Sequence, residues 1–246
     1  SHPSRTPSMY HLLSHTDLTQ GVLYPQGGFA AVMDALYALA VEQGARFRFN
    51  SEVAAIEDRG VMLIDGQRLP ADLTISAADL RHTETRLLPK KQRTYDESWF
   101  APRDPGLGTV LVMLGVQGEI PELAHHNFLF SDDWSDDFDA VFNGPVASRP
   151  LGASQSIYVS KPSATDPSVA PAGHENLFVL VPVPADPSVG HGDIYHGEAS
   201  EQVQRIADAA IEQIASRCGV AGLGRRIVVK QTLGPADFAE RYNAWS

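Results

Sequence analysis

Thr109 to Val116 is a strongly apolar run, and Leu177 to Val183 is a second one. Short apolar runs bounded by turn residues mark strands of a sheet. Further on, Val203, Ile206, Ala207, Ala210, Ile211 and Ile214 recur at helical spacing, the pattern of a long amphipathic helix with one apolar face. Such a helix and such strands have to cover one another. Shorter strands are expected at Asn127–Phe130, Ser156–Ser160 and Arg226–Gln231, with a helix over the acidic stretch 131–143. The predicted class is α+β, a mixed sheet flanked by helices. Hydrophobic residues make up 43% of the chain, enough for a core, and charged residues 20%, which argues against a disordered chain.

The first part has a different character. Residues 1–20 read as polar and irregular. Tyr24-Pro25-Gln26-Gly27-Gly28 is a tight turn, and Val32, Met33, Leu36, Leu39 and Ala40 mark a helix that Gly44 closes. Short strands at Arg46–Phe49, Val53–Glu57 and Val61–Ile64, with turn chemistry at Asp58-Arg59-Gly60 and Asp65-Gly66, predict a three-stranded meander. Asp72–Ser76 is one more strand, leading into Ala77-Ala78-Asp79 and a helix through Leu87. The main boundary falls near 90–105, and with a second division after residue 45 the segments are 1–45, 46–90 and 91–246. Asp237 to Ser246 reads as a helix in progress, without cap or stop signal.

Several kinds of chemistry are disfavoured. Nineteen Lys plus Arg against 30 Asp plus Glu give a net charge of -11, the wrong sign for a nucleic-acid partner. Cys218 is a single thiol, so it forms neither an internal disulfide nor a CxxC site, and it reads as a half-buried structural residue in a reduced, cytoplasmic protein. No apolar stretch reaches the ~20 residues that span a bilayer. His125 and His126 are adjacent, so on a strand they point to opposite faces and cannot easily share a metal ion. His191 and His196, with Asp193 between them, read as a solvated Gly-rich loop, and the acidic run 132–139 as a solvated helix N-terminus. Gly152-Ala153-Ser154-Gln155-Ser156 lacks the second glycine of a nucleophile elbow. Gly219-Val220-Ala221-Gly222-Leu223-Gly224 follows a helix and precedes a strand, the reverse of a dinucleotide-binding turn. No catalytic residue emerges.

A collinear series of segments does carry a resemblance. Tyr24-Pro25-Gln26-Gly27-Gly28 with its helix, Glu52-Val53-Ala54-Ala55-Ile56, and Ile75-Ser76-Ala77-Ala78-Asp79 resemble elements of the phytoene desaturase family, within the amine-oxidase-like flavoproteins. The most specific stretch is Gln155 to Ser163 followed by Asp166-Pro167-Ser168-Val169-Ala170-Pro171-Ala172-Gly173. Leu180 to Pro184 and Thr232 to Phe238 continue the series, with Gly234 inserted before Pro235.

The resemblance implies the substrate-binding portion of an FAD-dependent oxidoreductase that desaturates or isomerises a polyene. It also implies a meander split from the FAD domain, with both FAD-binding ends of the family absent from residues 1–246. Val53 would meet the adenine of FAD through its backbone, Ala77 and Ala78 would pass close to the cofactor, and Gly27 and Gly28 would lie on the flavin side of the substrate pocket. The segment alone is expected to hold no FAD and to be inactive. The implied partner is a lipophilic small molecule, which suggests peripheral membrane attachment, yet no basic amphipathic helix is present. Two duties stay open for the strand at 109–116, sheet core for most of its side chains or the wall of a long hydrophobic tunnel. Pro162 to Gly173 reads as a structural crossing loop. The rivals are an amine-oxidase-like enzyme on another substrate and a non-enzymatic lipid binder of the GDP-dissociation-inhibitor kind.

Overall fold

The structure, a computed structural model, describes residues 6–246. The two apolar runs are longer strands than their hydrophobicity alone marks. β4 (Leu107–Gln117) and β7 (His174–Pro184) pair antiparallel over their whole length, from Leu107 opposite Pro184 to Gln117 opposite His174. β5 (His126–Leu129) pairs with β6 (Ile157–Ser160), β6 with β7, and β8 (Ile227–Leu233) with the free edge of β4. The order is β5-β6-β7-β4-β8.

The α+β class is as expected, but every pairing in this sheet is antiparallel, whereas a mixed sheet was predicted. The connection after β7 explains the difference. α6 (Glu201–Cys218) carries the chain across β4, so β7 and β8 run in the same direction without touching. β4 lies between them, antiparallel to both.

Side chains alternate across a strand. Val110, Val112, Leu114 and Val116 of β4 and Leu177, Val179, Val181 and Val183 of β7 are therefore buried on one face. α6 covers that face with Val203, Ile206, Ala207, Ala210 and Ile214. Fully burying such a side chain contributes about 1.5–3 kcal/mol, which makes this layer the main core. Gly219 ends α6 in the left-handed conformation (φ 72°), as a helix C-terminus requires. Cys218 lies half-buried beside the core, and burial pushes its thiol pKa up, as befits a structural residue.

The small sheet is β1 (Val53–Glu57), β2 (Gly60–Leu63) and β3 (Arg68–Pro70), in that order. The meander is present, but its third strand is Arg68–Pro70, and Arg46–Phe49 forms no ladder. Residues 46–49 are held by side chains instead. Phe47 and Phe49 pack on Tyr37 with ring centroids 4.4 and 6.2 Å away, and Arg48 Nη2 donates to Gln67 Oε1 at 2.6 Å. Gly60 is required at its turn, since a Cβ there would lie 2.0 Å from the Leu69 carbonyl oxygen.

Residues 72–76, expected as a strand, are irregular. They lead to α3 (Leu80–His82), where Asp79 caps the helix by accepting the His82 N–H at 3.0 Å. A wide helical turn follows at Thr83–Leu87. α1 (His11–Gln20) is a helix where irregular chain was expected, and all its residues are exposed. α2 (Gly28–Glu42) ends at Gly44 as predicted. α4 (Glu97–Phe100) and α7 (Leu223–Arg226) are single turns. α8 (Pro235–Tyr242) does have a stop signal. Asn243 takes φ 52° and the Ala244 N–H reaches back to the Phe238 carbonyl at 3.1 Å. Among the described residues no helix is long and apolar enough to cross a membrane.

Candidate functional site

The face of the large sheet opposite α6 is also apolar, but it stays partly open. Strand register places Phe128, Tyr158, Leu180, Leu111 and Leu233 in one row across all five strands. Phe178 and Met113 stand side by side in a neighbouring row, and Thr109 and Pro182 in another. Leu111, Met113, Phe178, Leu180 and Tyr158 are half-buried, while Phe128 is 63% exposed. Water-facing strand positions are ordinarily polar. An apolar, partly open sheet face is a surface built to meet an apolar ligand or another apolar surface.

One edge of this face is aromatic. His126 Nδ1 and the Tyr158 hydroxyl are 2.7 Å apart. Tyr158 and Phe128 have ring centroids 5.2 Å apart, Phe128 and Phe130 stack at 6.0 Å, and Phe130 meets Trp134 at 5.2 Å. The series ends at a pocket of about 270 Å³ between the sheet and α5 (Trp134–Asn143), walled by Phe130, Trp134, Phe138, Phe142 and Pro182.

Beneath this pocket lies Asp137, which is 5% exposed. Its Oδ1 accepts from Arg149 Nε (2.6 Å) and the Gln155 N–H (2.9 Å). Its Oδ2 accepts from the hydroxyls of Ser131 (2.5 Å) and Ser156 (2.6 Å) and from the Ser156 N–H (3.1 Å). Burial pushes the carboxyl pKa up, but the bonds from Ser131, Ser156 and Arg149 outweigh that and hold it at about 2. The acidic run is therefore not wholly solvated. Asp133 caps α5 through the Ser135 N–H as expected, whereas Asp137 is a buried anchor.

The Gly27–Gly28 turn is tied to the large sheet. Both glycines adopt the left-handed region, φ 81° and 79°, which suits glycine alone among common residues. The Gly27 N–H donates to Asp166 Oδ2 at 2.5 Å, and Asp166 Oδ1 accepts from the Ser168 N–H and hydroxyl. Bonds from Ser168 and Gly27 hold Asp166 below the usual carboxylate range. Tyr24 sets its ring against that of His125 at 4.6 Å, and His125 Nδ1 lies 2.6 Å from the Thr165 hydroxyl. Pro162–Gly173 thus bridges two parts of the chain, beyond its expected role as a crossing loop.

The histidines depart from expectation. The rings of His125 and His126 stack at 4.3 Å and do not diverge, because only His126 belongs to β5 and the alternation rule does not reach His125. Burial, then His126, pushes the His125 pKa down. His191 and His196 lie 4.1 Å apart in a loop that is bonded into the fold: His196 Nε2 is 3.1 Å from Asp237 Oδ1, and Asp193 accepts the Thr232 N–H at 2.6 Å. Among the described residues no group of three His, Cys, Asp or Glu could hold a metal ion.

Known proteins resemble this chain over much of its length. The flavin-containing amine oxidoreductase family matches residues 1–110. A carotenoid 3,4-desaturase of Haloarcula japonica is 37% identical over 98% of this chain and 47% of its own length. The chain is similar to the phytoene desaturase-like flavoproteins. A zeta-carotene-forming phytoene desaturase of Myxococcus xanthus is 38% identical over 74% of the chain and 35% of its own length. An oxidoreductase structure from Methanosarcina mazei superposes with a TM-score of 0.53 at 17% identity, over 85% of this chain and 43% of that one, a likeness of fold. The chain spans about half the length of the curated relatives it matches over its full extent.

Within this phytoene desaturase-like chain the five residues implicated by sequence fall into two groups. Val53 opens β1, the edge strand of the small sheet, at an irregularity in its pairing. Ala77 and Ala78 are exposed on the segment that leaves that sheet. Gly27 and Gly28 instead sit on the Asp166 loop. Sequence reasoning passed over Asp166, the residue that links turn and sheet, although it stands inside the most family-specific stretch. It also passed over the aromatic series, whose members are spread over residues 126–158.

Proposed function

We propose that this chain supplies the substrate face, and part of the cofactor cradle, of an FAD-dependent enzyme that desaturates a linear polyene. The observation that carries the reading is the apolar row Phe128–Tyr158–Leu180–Leu111, partly open to solvent and closed at its far end by buried Leu233. β4 is 11 residues long, which at ~3.3 Å per residue gives a face about 35 Å in length, suited to an extended hydrocarbon. A C–H substrate needs no ionised partner, and the face offers none in its central rows.

FAD, when bound, supplies the acceptor for the hydride removed from the substrate. The residues present fit that group. Val53 lies on an unpaired strand edge whose backbone can meet the edge of the adenine, and Ala77 and Ala78 have side chains small enough for close approach. Gly27 and Gly28, fixed by Asp166, bound the flavin side of the substrate face. Residues 1–246 contain no phosphate-cradling turn, and we infer that this chain alone does not retain FAD and is inactive. A lipophilic substrate reaches such a face from a bilayer, so contact is peripheral, and exposed Leu12, Leu13 and Leu18 of α1 suit it.

The test uses the complete polypeptide that carries this chain, loaded with FAD and given an acyclic polyene in vesicles. The polyene absorption should move to longer wavelength as conjugation extends, with matching loss of oxidised-flavin absorbance under anaerobic conditions. An unchanged polyene spectrum with flavin bound would overturn the reading.

A further inference from the structure

The pocket at the end of the aromatic series has a property that the rest of the face lacks. Its lining is almost wholly apolar although Asp137, Ser154 and Ser156 contribute to it. The reason is that the polar groups there are committed to one another. The Ser131 and Ser156 hydroxyls donate to Asp137 Oδ2, and the Ser154 hydroxyl donates to the Ser156 carbonyl at 2.9 Å. Asp137 receives five hydrogen bonds, about as many as a carboxylate can accept. Held at about 2, its pKa leaves it ionised at neutral pH, without a proton to donate. A group entering this pocket therefore meets almost only carbon, and the serine and aspartate groups beneath it are already committed.

Size and position say what enters. Pockets that enclose a whole drug-sized ligand run to roughly 300–1,000 Å³, so about 270 Å³ takes only one end of a long molecule. Leu107 and Pro182 of the open face form part of the pocket wall, and Phe130 continues from Phe128, so the pocket is continuous with the apolar row. It lies about 20 Å along β4 from Met113, on the strand rise of ~3.3 Å per residue.

We infer that the pocket seats one terminus of the linear polyene and selects an unfunctionalised hydrocarbon end over a hydroxylated one. This rests on the polyene reading above and adds its end-group specificity. A buried hydroxyl without a partner is disfavoured, and apolar pockets reject an added hydroxyl by roughly ten- to a hundredfold.

The experiment, on the complete polypeptide that carries this chain, measures quenching of tryptophan fluorescence by two probes in mixed micelles, a linear C30 polyene hydrocarbon and the same polyene with one terminal hydroxyl. The quench that depends on Trp134 is isolated by subtracting the Trp134→Phe signal. The hydrocarbon should bind at least tenfold more tightly. Val141→Thr, a nearly isosteric change in a pocket-lining residue that is 6% exposed, supplies an acceptor and should narrow that ratio by roughly tenfold. Phe142→Tyr places a hydroxyl from a half-buried position and should act the same way if the threonine variant does not fold. Equal affinities in the unmodified chain, or a ratio unmoved by either hydroxyl-bearing variant that folds, would overturn the end-group inference while leaving the polyene reading in place. Failure of the unmodified chain to bind either probe would remove the polyene reading itself, and this inference with it.

Discussion

Asp137→Leu should destabilise the fold by about 3–5 kcal/mol, because it leaves the Arg149 guanidinium buried without its carboxylate. The two side chains are 6% and 7% exposed, and Asp137 also holds the Gln155 and Ser156 N–H groups, which would lose their acceptor. Removing both charges, as Asp137→Leu with Arg149→Met, should recover a large part of the loss, since the costly state is an unpaired buried ion. Denaturant unfolding of the two variants against the unmodified chain measures both steps. If the single variant were as stable as the parent, the buried pair would be excluded as an anchor.

The same site fixes a pH dependence. Asp137 titrates at about 2 in the folded chain against 3.8 for the free side chain, so its folded pKa is depressed. The stabilisation it gives, about 2 kcal/mol by linkage, is fully present above pH ~4 and is lost as pH falls through ~2. Asp137→Leu should show a shallower loss of stability over that window.

Asp237→Ala is the second large effect, expected at about 2–5 kcal/mol. Asp237 is 0% exposed and accepts the buried N–H groups of Gly192 at 2.6 Å and Gly234 at 2.8 Å, with His196 Nε2 at 3.1 Å. Alanine leaves two buried donors without partners, each costing about 1–3 kcal/mol. The backbone cannot relax easily, because a Cβ on Gly192 would fall 1.9 Å from the Thr232 carbonyl oxygen and one on Gly234 would fall 2.3 Å from that of Gly190. Three segments are therefore packed backbone to backbone around one carboxylate. Asp237→Asn, which keeps an acceptor, should lose clearly less. Equal losses for Ala and Asn in thermal unfolding would show that the two N–H bonds are not what Asp237 contributes.

The features legible in the sequence are those with a local period. The spacing from Val203 to Ile214 gave α6 directly, and Gly44 and Gly219 end helices as their φ values require. Register and strand direction are set by partners far along the chain, so the sheet expected to be mixed is antiparallel at every pairing. β4 is apolar on both faces, since Leu111 and Met113 are as apolar as Val110 and Val112, and its sequence leaves core and tunnel wall open. In the fold only the second pair is covered by α6. The continuous apolar run thus joins a core surface to an open apolar surface, the one proposed to meet the polyene. Of the two duties left open for it, the core takes one face and the proposed polyene wall the other. Asp166 and Asp137 carry no such local signal. Each looks like an ordinary turn or helix-start aspartate, and its reach to Gly27 or to Arg149 depends on contacts the sequence does not announce.

Met113→Glu puts a charge in the middle of the open face of the five-stranded sheet, where the polyene is proposed to bind. Met113 stands half-buried beside Phe178 in the middle of that face, so the charge disturbs the surface more than the core. Affinity for the linear C30 polyene hydrocarbon, read by tryptophan quenching in mixed micelles, should fall at least tenfold while the unfolding midpoint stays close to that of the unmodified chain. Undiminished affinity in a folded Met113→Glu variant would rule out this face as the polyene site.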